Sequence, residues 1–161
     1  MIVFVEGADG SGKSTLVGEL SKNYPIIYVS RKSQNDWTQI WIELQKAAVS
    51  HVIVADRCFI SDYVYRLNDG EKGDYNIYSV LALLKCACVI YCKTDTQFDD
   101  AMERGEDNIT QRSVADDISN LYDVVMRILK KEGVNVMNYN WKEQNVDDVL
   151  NFIKLMKGDE L

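Results

Sequence analysis

The sequence has little of several features that would mark whole classes of protein. It contains one histidine, one proline and no apolar stretch as long as ten residues. Such stretches are too short to cross a membrane, and the chain opens directly into an apolar strand rather than a signal peptide. Nothing in the 161 residues resembles a linker or an internal repeat. We therefore expect one cytoplasmic domain, residues 1–161, without a membrane partner.

The chain has too few basic residues to form a positively charged surface that would attract nucleic acids. Lysine and arginine number 18 against 25 aspartates and glutamates, which gives a net charge of −7. Nucleic acids and anionic membranes are usually met by basic surfaces, so we expect no nucleic-acid partner. A small phosphorylated substrate is compatible with this charge, because a few local donors in a cleft suffice to hold it.

The four cysteines lack the paired C-x-x-C spacing of zinc ligands. Cys86, Cys88 and Cys92 stand at even spacing, which would place all three on one face of a strand. Because free cysteine is often buried and His51 is the only histidine, the pattern favours buried thiols over a metal site.

A glycine-rich loop near the start of the chain carries the clearest chemistry. An apolar run at residues 2–5 leads into Gly7-Ala8-Asp9-Gly10-Ser11-Gly12-Lys13-Ser14, which fits G-x-x-x-x-G-K-[ST] at every defined position. Glycines there let successive backbone N–H groups face a phosphate anion at the start of the next helix. Lys13 would neutralise the β- and γ-phosphates, and Ser14 would bind Mg²⁺. The predicted ATP-binding residues are Gly7, Ala8, Asp9, Gly10, Ser11, Gly12, Lys13, Ser14 and Thr15.

Short apolar strands alternate with amphipathic helices along the rest of the chain. Strands are predicted at residues 2–6, 26–29, 52–55, 87–91 and 134–137. Helices are predicted from the loop to about residue 23 and at 37–48, 61–67, 77–85, 98–102, 114–129 and 146–153. Strands that are apolar along their whole length indicate a parallel sheet covered on both faces. We expect an α/β fold, a three-layer α/β/α sandwich with a five-stranded parallel sheet.

Polar residues follow the predicted strands, where ligands of such sheets bind. The glycine loop, Ser30-Arg31, Asp56-Arg57 and residues 93–95 should therefore converge on one cleft. Asp56 is predicted to hold Mg²⁺ beside the loop, directly or through water. The alternative is that Asp56 merely caps the helix that follows it.

The segment after the third strand resembles a known enzyme family. Asp56-Arg57-Cys58-Phe59-Ile60-Ser61-Asp62-Tyr63-Val64-Tyr65 is similar to the thymidylate kinase signature, with the Asp-Arg pair, the Ser and the Tyr at the same offsets. It also resembles the deoxynucleoside kinases, in which an acidic-Arg pair precedes a Ser-Asp step. The opening segment, residues 4–15, is similar to both families. The resemblance spans Met1 to about Arg127 and implies a P-loop fold with strand order 2-3-1-4-5 and a short lid at about residues 103–112.

That resemblance implies roles for residues on the acceptor side. Asp9 would approach the 3′-hydroxyl of the bound deoxynucleotide. The implied substrate-binding residues are Asp9, Arg31, Arg57, Ser61, Tyr65 and Arg66, the last standing where thymidylate kinases commonly have Gln. Arginine suits this task because its planar fork can hold a phosphate with two hydrogen bonds.

A second group of residues would act on the reacting atoms. Phosphoryl transfer requires positioning and neutralisation of charge on the equatorial oxygens. A lid arginine, Arg104 first and Arg112 second, would stabilise the transition state, with an ordinary solvated arginine as the alternative. Glu6 would serve as base if the acceptor were a neutral 5′-hydroxyl. The predicted catalytic residues are Lys13, Arg57, Glu6, Asp9 and Arg104.

The sequence thus predicts a nucleotide kinase that uses ATP and Mg²⁺. The acceptor implied by the resemblance is a deoxynucleoside monophosphate, dTMP above others. A deoxynucleoside kinase is the main alternative, followed by a polynucleotide 5′-kinase and a regulatory ATPase. The acidic net charge speaks against the polynucleotide kinase, which needs a basic groove. Family members are commonly dimers, so the resemblance also implies a homodimer.

Overall fold

Strands and helices alternate through the parts of the chain that the computed structural model describes, residues 1–29, 37–70, 77–103 and 111–158. The strands there are β1 (Ile2–Glu6), β2 (Ile26–Tyr28), β3 (Ile53–Asp56), β4 (Ala87–Cys92) and β5 (Asn135–Tyr139). The helices there are α1 (Lys13–Leu20), α2 (Trp37–Ala47), α3 (Phe59–Asn68), α4 (Ile77–Leu84), α5 (Gln97–Glu103), α6 (Arg112–Lys131) and α7 (Val146–Lys157). Each element that the periodicity predicts is present, with ends that differ by a few residues.

The five strands form one parallel sheet in the order β2-β3-β1-β4-β5. This confirms the predicted strand order. Val5 of β1 lies opposite Asp56, and Glu6 lies opposite Tyr91. The carboxyl ends of the three central strands therefore meet at one edge of the sheet, where the polar residues after each strand come together.

Alternate side chains of β1 enter two separate hydrophobic clusters. Phe4 packs with residues of α2, α3, α4 and α6 on one face of the sheet. Val3 and Val5 pack with residues of α1 and α7 on the other face. The sheet is thus covered on both sides, which confirms the three-layer α/β/α sandwich.

The cysteines differ in one respect from their prediction. Cys88 and Cys92 are buried in β4, as expected, but Cys86 is exposed. The reason is that β4 begins at Ala87, so Cys86 belongs to the turn after α4, where its backbone N–H still bonds the carbonyl of Leu83. The alternating pattern therefore holds only from residue 87 onward.

The predicted lid falls mostly outside the described residues. Helix α5 ends at Glu103 and α6 begins at Arg112, with residues 104–110 between them. The boundaries of the lid and the single domain 1–161 stay predictions. Among the described helices, none has both the length and the hydropathy that crossing a membrane requires.

Candidate active site

The glycine loop joins β1 to α1 at the carboxyl edge of the sheet. Gly7 has φ +145°, and a Cβ there would lie 2.3 Å from the carbonyl oxygen of Cys92. Only glycine lets the end of β1 pass so close to the end of β4. Gly12 is the N-cap of α1 with φ 87°, and no described side chain caps this helix. The first N–H groups of α1 are therefore available to an anion.

A cavity of about 220 Å³ opens directly above this loop. Its lining residues are Asp9, Gly10, Gly12, Lys13, Ser14, Thr15 and Arg57. Six of these are predicted ATP-binding residues, and the seventh comes from the turn after β3. The other three predicted ATP-binding residues, Gly7, Ala8 and Ser11, are buried beneath the cavity. The loop and the β3 turn thus enclose one space large enough for phosphate groups.

Lys13 is a buried cation whose amine is held by the loop itself. The residue is only 5% exposed, and its Nζ donates a hydrogen bond of 2.6 Å to the carbonyl oxygen of Ala8. Burial, helped by the nearby charge of Arg57 and opposed by Asp9, lowers the pKa of Lys13 from 10.5 to about 8. The charge is therefore desolvated and pre-positioned at the cavity wall.

Asp9 and Arg57 form an ion pair across the cavity. Arg57 Nη2 lies 2.7 Å from Asp9 Oδ1, and the two side chains are 23% and 15% exposed. Burial raises the pKa of Asp9, but the charges of Lys13 and Arg57 outweigh it and hold the pKa below its ordinary value. The Asp9 carboxylate is therefore ionised at neutral pH. It pairs with the same guanidinium that is predicted to bind the acceptor phosphate.

Asp56 and Ser14 fit the ligand set of Mg²⁺. Oδ1 of Asp56 is buried and has no hydrogen-bond partner among the described residues. Burial raises the pKa of this carboxyl, although Arg57 and Lys13 oppose the shift. Ser14 is exposed and lines the cavity. Mg²⁺ usually takes one or two protein oxygens and completes its shell with phosphates and water, so these two residues suffice.

The alternative role of Asp56, as a helix cap, is contradicted by the structure. The N-cap of α3 is Cys58, whose Sγ accepts a hydrogen bond of 3.5 Å from the backbone N–H of Ile60. Asp56 ends β3 two residues earlier, so its carboxylate does not serve this helix.

Glu6 and Ser61 are placed differently from their predicted roles. Both are 0% exposed. Glu6 accepts hydrogen bonds from the backbone N–H of Cys58 at 2.6 Å, from Ser61 Oγ at 2.5 Å and from Tyr122 OH at 3.3 Å. These donors and the surrounding core enclose both side chains, and neither lines the cavity. The assignments of Glu6 as base and of Ser61 as substrate ligand stay predictions.

Tyr65 and Arg66 lie on α3 beyond the ion pair. The ring centroid of Tyr65 is 5.9 Å from Cζ of Arg57. Arg66 Nε lies 3.0 Å from Asp62 Oδ2, in a pair whose side chains are 35% and 4% exposed. Neither residue lines the 220 Å³ cavity, so their contact with a substrate stays a prediction.

Among the described residues, Arg112 and Lys93 do not join this cluster. Arg31 and Arg104 lie outside the described residues. Arg112 pairs with Asp99 and lies 4.8 Å from the ring of Phe98. Lys93 bonds Asp123 of α6 at 2.6 Å and does not line the cavity, contrary to the predicted convergence.

Trp141 is a neighbour of the loop that the motifs did not reveal. It lies in the segment after β5 and is 40% exposed. A Cβ on Gly12 would come within 2.5 Å of Trp141 Cδ1, so the indole rests directly on this glycine. Lys142 Nζ lies 5.1 Å from the indole ring and donates a hydrogen bond of 2.9 Å to Asp100. The position after the carboxyl end of a strand was the signal that could have identified Trp141.

Comparisons with known proteins agree with this architecture. No family model matches the chain. A protein of Acidianus bottle-shaped virus (isolate Italy/Pozzuoli), provisionally named thymidylate kinase, is 28% identical over 153 residues, covering 85% of this chain and 93% of the viral protein.

Three solved structures share the fold over nearly the whole chain. The YorR protein of Bacillus subtilis, in complex with phosphorylated GDP, is 24% identical with a TM-score of 0.72 and full coverage of both chains. The deoxyadenosine kinase of M. mycoides, with dCMP and dCDP bound, is 18% identical with a TM-score of 0.62, covering 98% of this chain and 97% of that one. Shikimate kinase of Acinetobacter baumannii is 12% identical with a TM-score of 0.56, covering 99% and 94%.

The chain has the fold of the P-loop kinases. This confirms the resemblance to the thymidylate and deoxynucleoside kinases that the motifs indicated. The comparisons support a kinase of this broad type, and the choice of acceptor rests on the chemistry of the cavity.

Proposed function

We propose that this P-loop protein transfers the γ-phosphate of ATP to a deoxynucleoside monophosphate, with dTMP as the first candidate. The observation that carries the proposal is that Lys13 of the phosphate loop and Arg57 of the β3 turn line the same 220 Å³ cavity. In-line phosphoryl transfer between two anionic groups needs a cation on each side of the moving group. The viral relative named thymidylate kinase makes dTMP the first acceptor to test.

The donor triphosphate would bind on the phosphate loop. The uncapped N–H groups at the start of α1 face its phosphates, and the buried amine of Lys13 neutralises their charge. Ser14 and Asp56 would hold Mg²⁺, which would neutralise phosphate charge when bound. The orphaned oxygen of Asp56 supports this assignment.

The acceptor side favours a monophosphate over a nucleoside. A neutral 5′-hydroxyl needs a carboxylate base, whereas a monophosphate is already an anionic nucleophile. Asp9 is the one acidic side chain among the described residues that line the cavity, and it is held in the ion pair with Arg57. An entering phosphate would take the place of Asp9 on Arg57 and release this carboxylate toward the sugar hydroxyl.

A coupled assay of ADP formation tests the proposal. Purified protein with ATP and Mg²⁺ is offered dTMP, thymidine and a panel of the other common nucleosides and monophosphates. We expect ADP formation to be stimulated at least tenfold by dTMP or another deoxynucleoside monophosphate and not by the nucleosides.

Two results would overturn the proposal in favour of different functions. Turnover of thymidine without turnover of dTMP would indicate a deoxynucleoside kinase. ADP formed only at the rate of water hydrolysis, with every acceptor, would indicate a regulatory ATPase. The homodimer implied by the resemblance and the cytoplasmic location expected from the sequence stay predictions that this assay does not address.

A further inference from the structure

The turn that carries Arg57 has an unusual backbone conformation. Arg57 has φ 71° and is the one non-glycine residue with positive φ in the described part of the chain. A side chain in this region of φ/ψ space is strained and persists where its surroundings hold it. The contacts around residues 57–61 must therefore hold the turn in place.

A buried carboxylate lies directly beneath this turn. Glu6 Oε1 accepts the backbone N–H of Cys58 at 2.6 Å and that of Ser61 at 3.4 Å. These two amides follow Arg57 at the start of helix α3, so one carboxylate oxygen joins the end of β1 to the segment directly after the turn. Hydrogen bonds to an ionised acceptor are stronger than neutral ones, and burial strengthens them further.

The same carboxylate reaches the guanidinium through one hydroxyl. Ser61 Oγ donates to Glu6 Oε2 at 2.5 Å and accepts from Arg57 Nη1 at 3.3 Å. Ser61 thus connects the buried anion to the arginine that faces the cavity. Glu6, Ser61 and Arg57 form a continuous brace from the sheet to the acceptor side of the site.

We propose that Glu6 and Ser61 are positioning residues for the acceptor phosphate, and that they act by holding Arg57 in its strained turn and orienting its guanidinium. The inference rests on the proposed function and deepens it. It replaces the role of Glu6 as a base, because a base must reach the substrate and Glu6 is 0% exposed.

Two substitutions of Glu6 separate these roles. Glu6→Gln keeps an oxygen for the amide of Cys58 and can donate to Ser61 Oγ, so kcat should stay within about threefold of the wild type. Removal of a general base lowers turnover by about 10²–10⁴-fold. A loss of that size in Glu6→Gln would show that Glu6 is the base and overturn the proposal.

Glu6→Ala removes the carboxylate altogether and should release the turn. We expect the KM for dTMP to rise by about tenfold or more, while the KM for ATP stays within about twofold. An unchanged KM for dTMP in a folded Glu6→Ala protein would contradict the brace. Circular dichroism establishes whether this variant folds.

Ser61→Ala tests the brace independently if Glu6→Ala does not fold. It removes the hydroxyl that links Glu6 to Arg57 and leaves the backbone contacts of Glu6 in place. The KM for dTMP should rise by about two- to tenfold. Ser21→Ala is the matched control, because it removes a hydroxyl that donates to the carbonyl of Gly18 at the exposed end of α1, away from Glu6 and Arg57. Equal effects in the two variants would contradict the proposal.

Hydrogen exchange measures the brace without any substrate. The amides of Cys58 and Ser61 should exchange at least about tenfold faster in Glu6→Ala than in Glu6→Gln. Unchanged protection in Glu6→Ala would overturn the brace even if the protein is an active kinase. Conversely, if the wild type transfers no phosphate while the two variants still differ in exchange rate, the proposed function alone is refuted.

Discussion

The two sides of the cavity are built in opposite ways. On the donor side the loop is a run of consecutive residues, and Lys13 bonds Ala8 only five positions away. On the acceptor side Arg57 bonds Asp9 across 48 positions, and Glu6 bonds Ser61 across 55 and Tyr122 across 116. A local motif can therefore specify the donor side. The acceptor side exists only when distant parts of the chain have packed together.

The largest effect should come from removing the donor-side cation. Lys13→Met should lower kcat by about 10²-fold or more, because a buried, pre-positioned charge is lost. The melting temperature should not fall, since burial of this amine is costly, as its lowered pKa shows. Steady-state kinetics and thermal unfolding measure the two effects.

Lys22→Met is the matched control for this change. Lys22 is 66% exposed, lies just after α1 and, within the described part of the chain, pairs only with Glu19. Lys22→Met should change neither kcat nor the melting temperature. If Lys13→Met kept its activity, the donor side would have been assigned incorrectly.

On the acceptor side, Arg57→Ala should raise the KM for dTMP by about 10–100-fold and leave the KM for ATP nearly unchanged. Arg57→Gly should give the same kinetic loss with a free energy of unfolding about 1 kcal/mol higher than that of Arg57→Ala, because glycine adopts φ 71° without strain. Denaturant unfolding compares the two variants. A rise of similar size in the KM for ATP would show that the two sides are not separate.

Glycine substitutions compare the loop with the helix that follows it. Gly7→Ala should destabilise the protein by roughly 1–3 kcal/mol, because the added Cβ meets the carbonyl oxygen of Cys92 at 2.3 Å. Gly18→Ala, in α1 with nothing within 4 Å of its Cβ, should instead stabilise it by about 1 kcal/mol. Equal effects on the melting temperature would contradict the packing around the loop.

The smallest expected effect is the uptake of a proton by Lys13 when ATP binds. Its pKa is about 8 in the folded protein and 10.5 in the unfolded chain, so folding releases a proton between these values and this contribution to stability rises with pH there. Bound phosphates favour the charged amine. ATP binding at pH 9 should therefore take up a fraction of a proton, measured by calorimetry in buffers of different ionisation enthalpy. Binding without proton uptake would contradict the lowered pKa.

The features that the sequence predicted correctly are those set by residues close together along the chain. The apolar runs gave the strands of the sheet, and the glycine motif gave the loop that lines the cavity with Lys13 and Ser14. These features follow from local periodicity and backbone conformation, which a linear pattern records. The Asp-Arg pair after β3 was also found, because a strand end is local.

What the sequence could not supply is the direction of particular side chains. Glu6 stands at the end of a strand, where the pattern did not reveal that it turns inward beneath α3. Ser61 was assigned to the substrate because its offset matched a motif, whereas the helix buries it against Tyr122. Arg112 pairs with Asp99, which depends on how α5 packs against α6. Each of these contacts is decided by tertiary packing, which no spacing encodes.

The contact between Trp141 and Gly12 bears on when this protein becomes functional during its synthesis. The phosphate-binding motif is translated well before the indole that covers Gly12, which comes 129 positions later. A nascent chain that lacks β5 and the segment after it carries the complete motif without the wall that covers it. The earliest part of the site to be translated is therefore among the last to be finished.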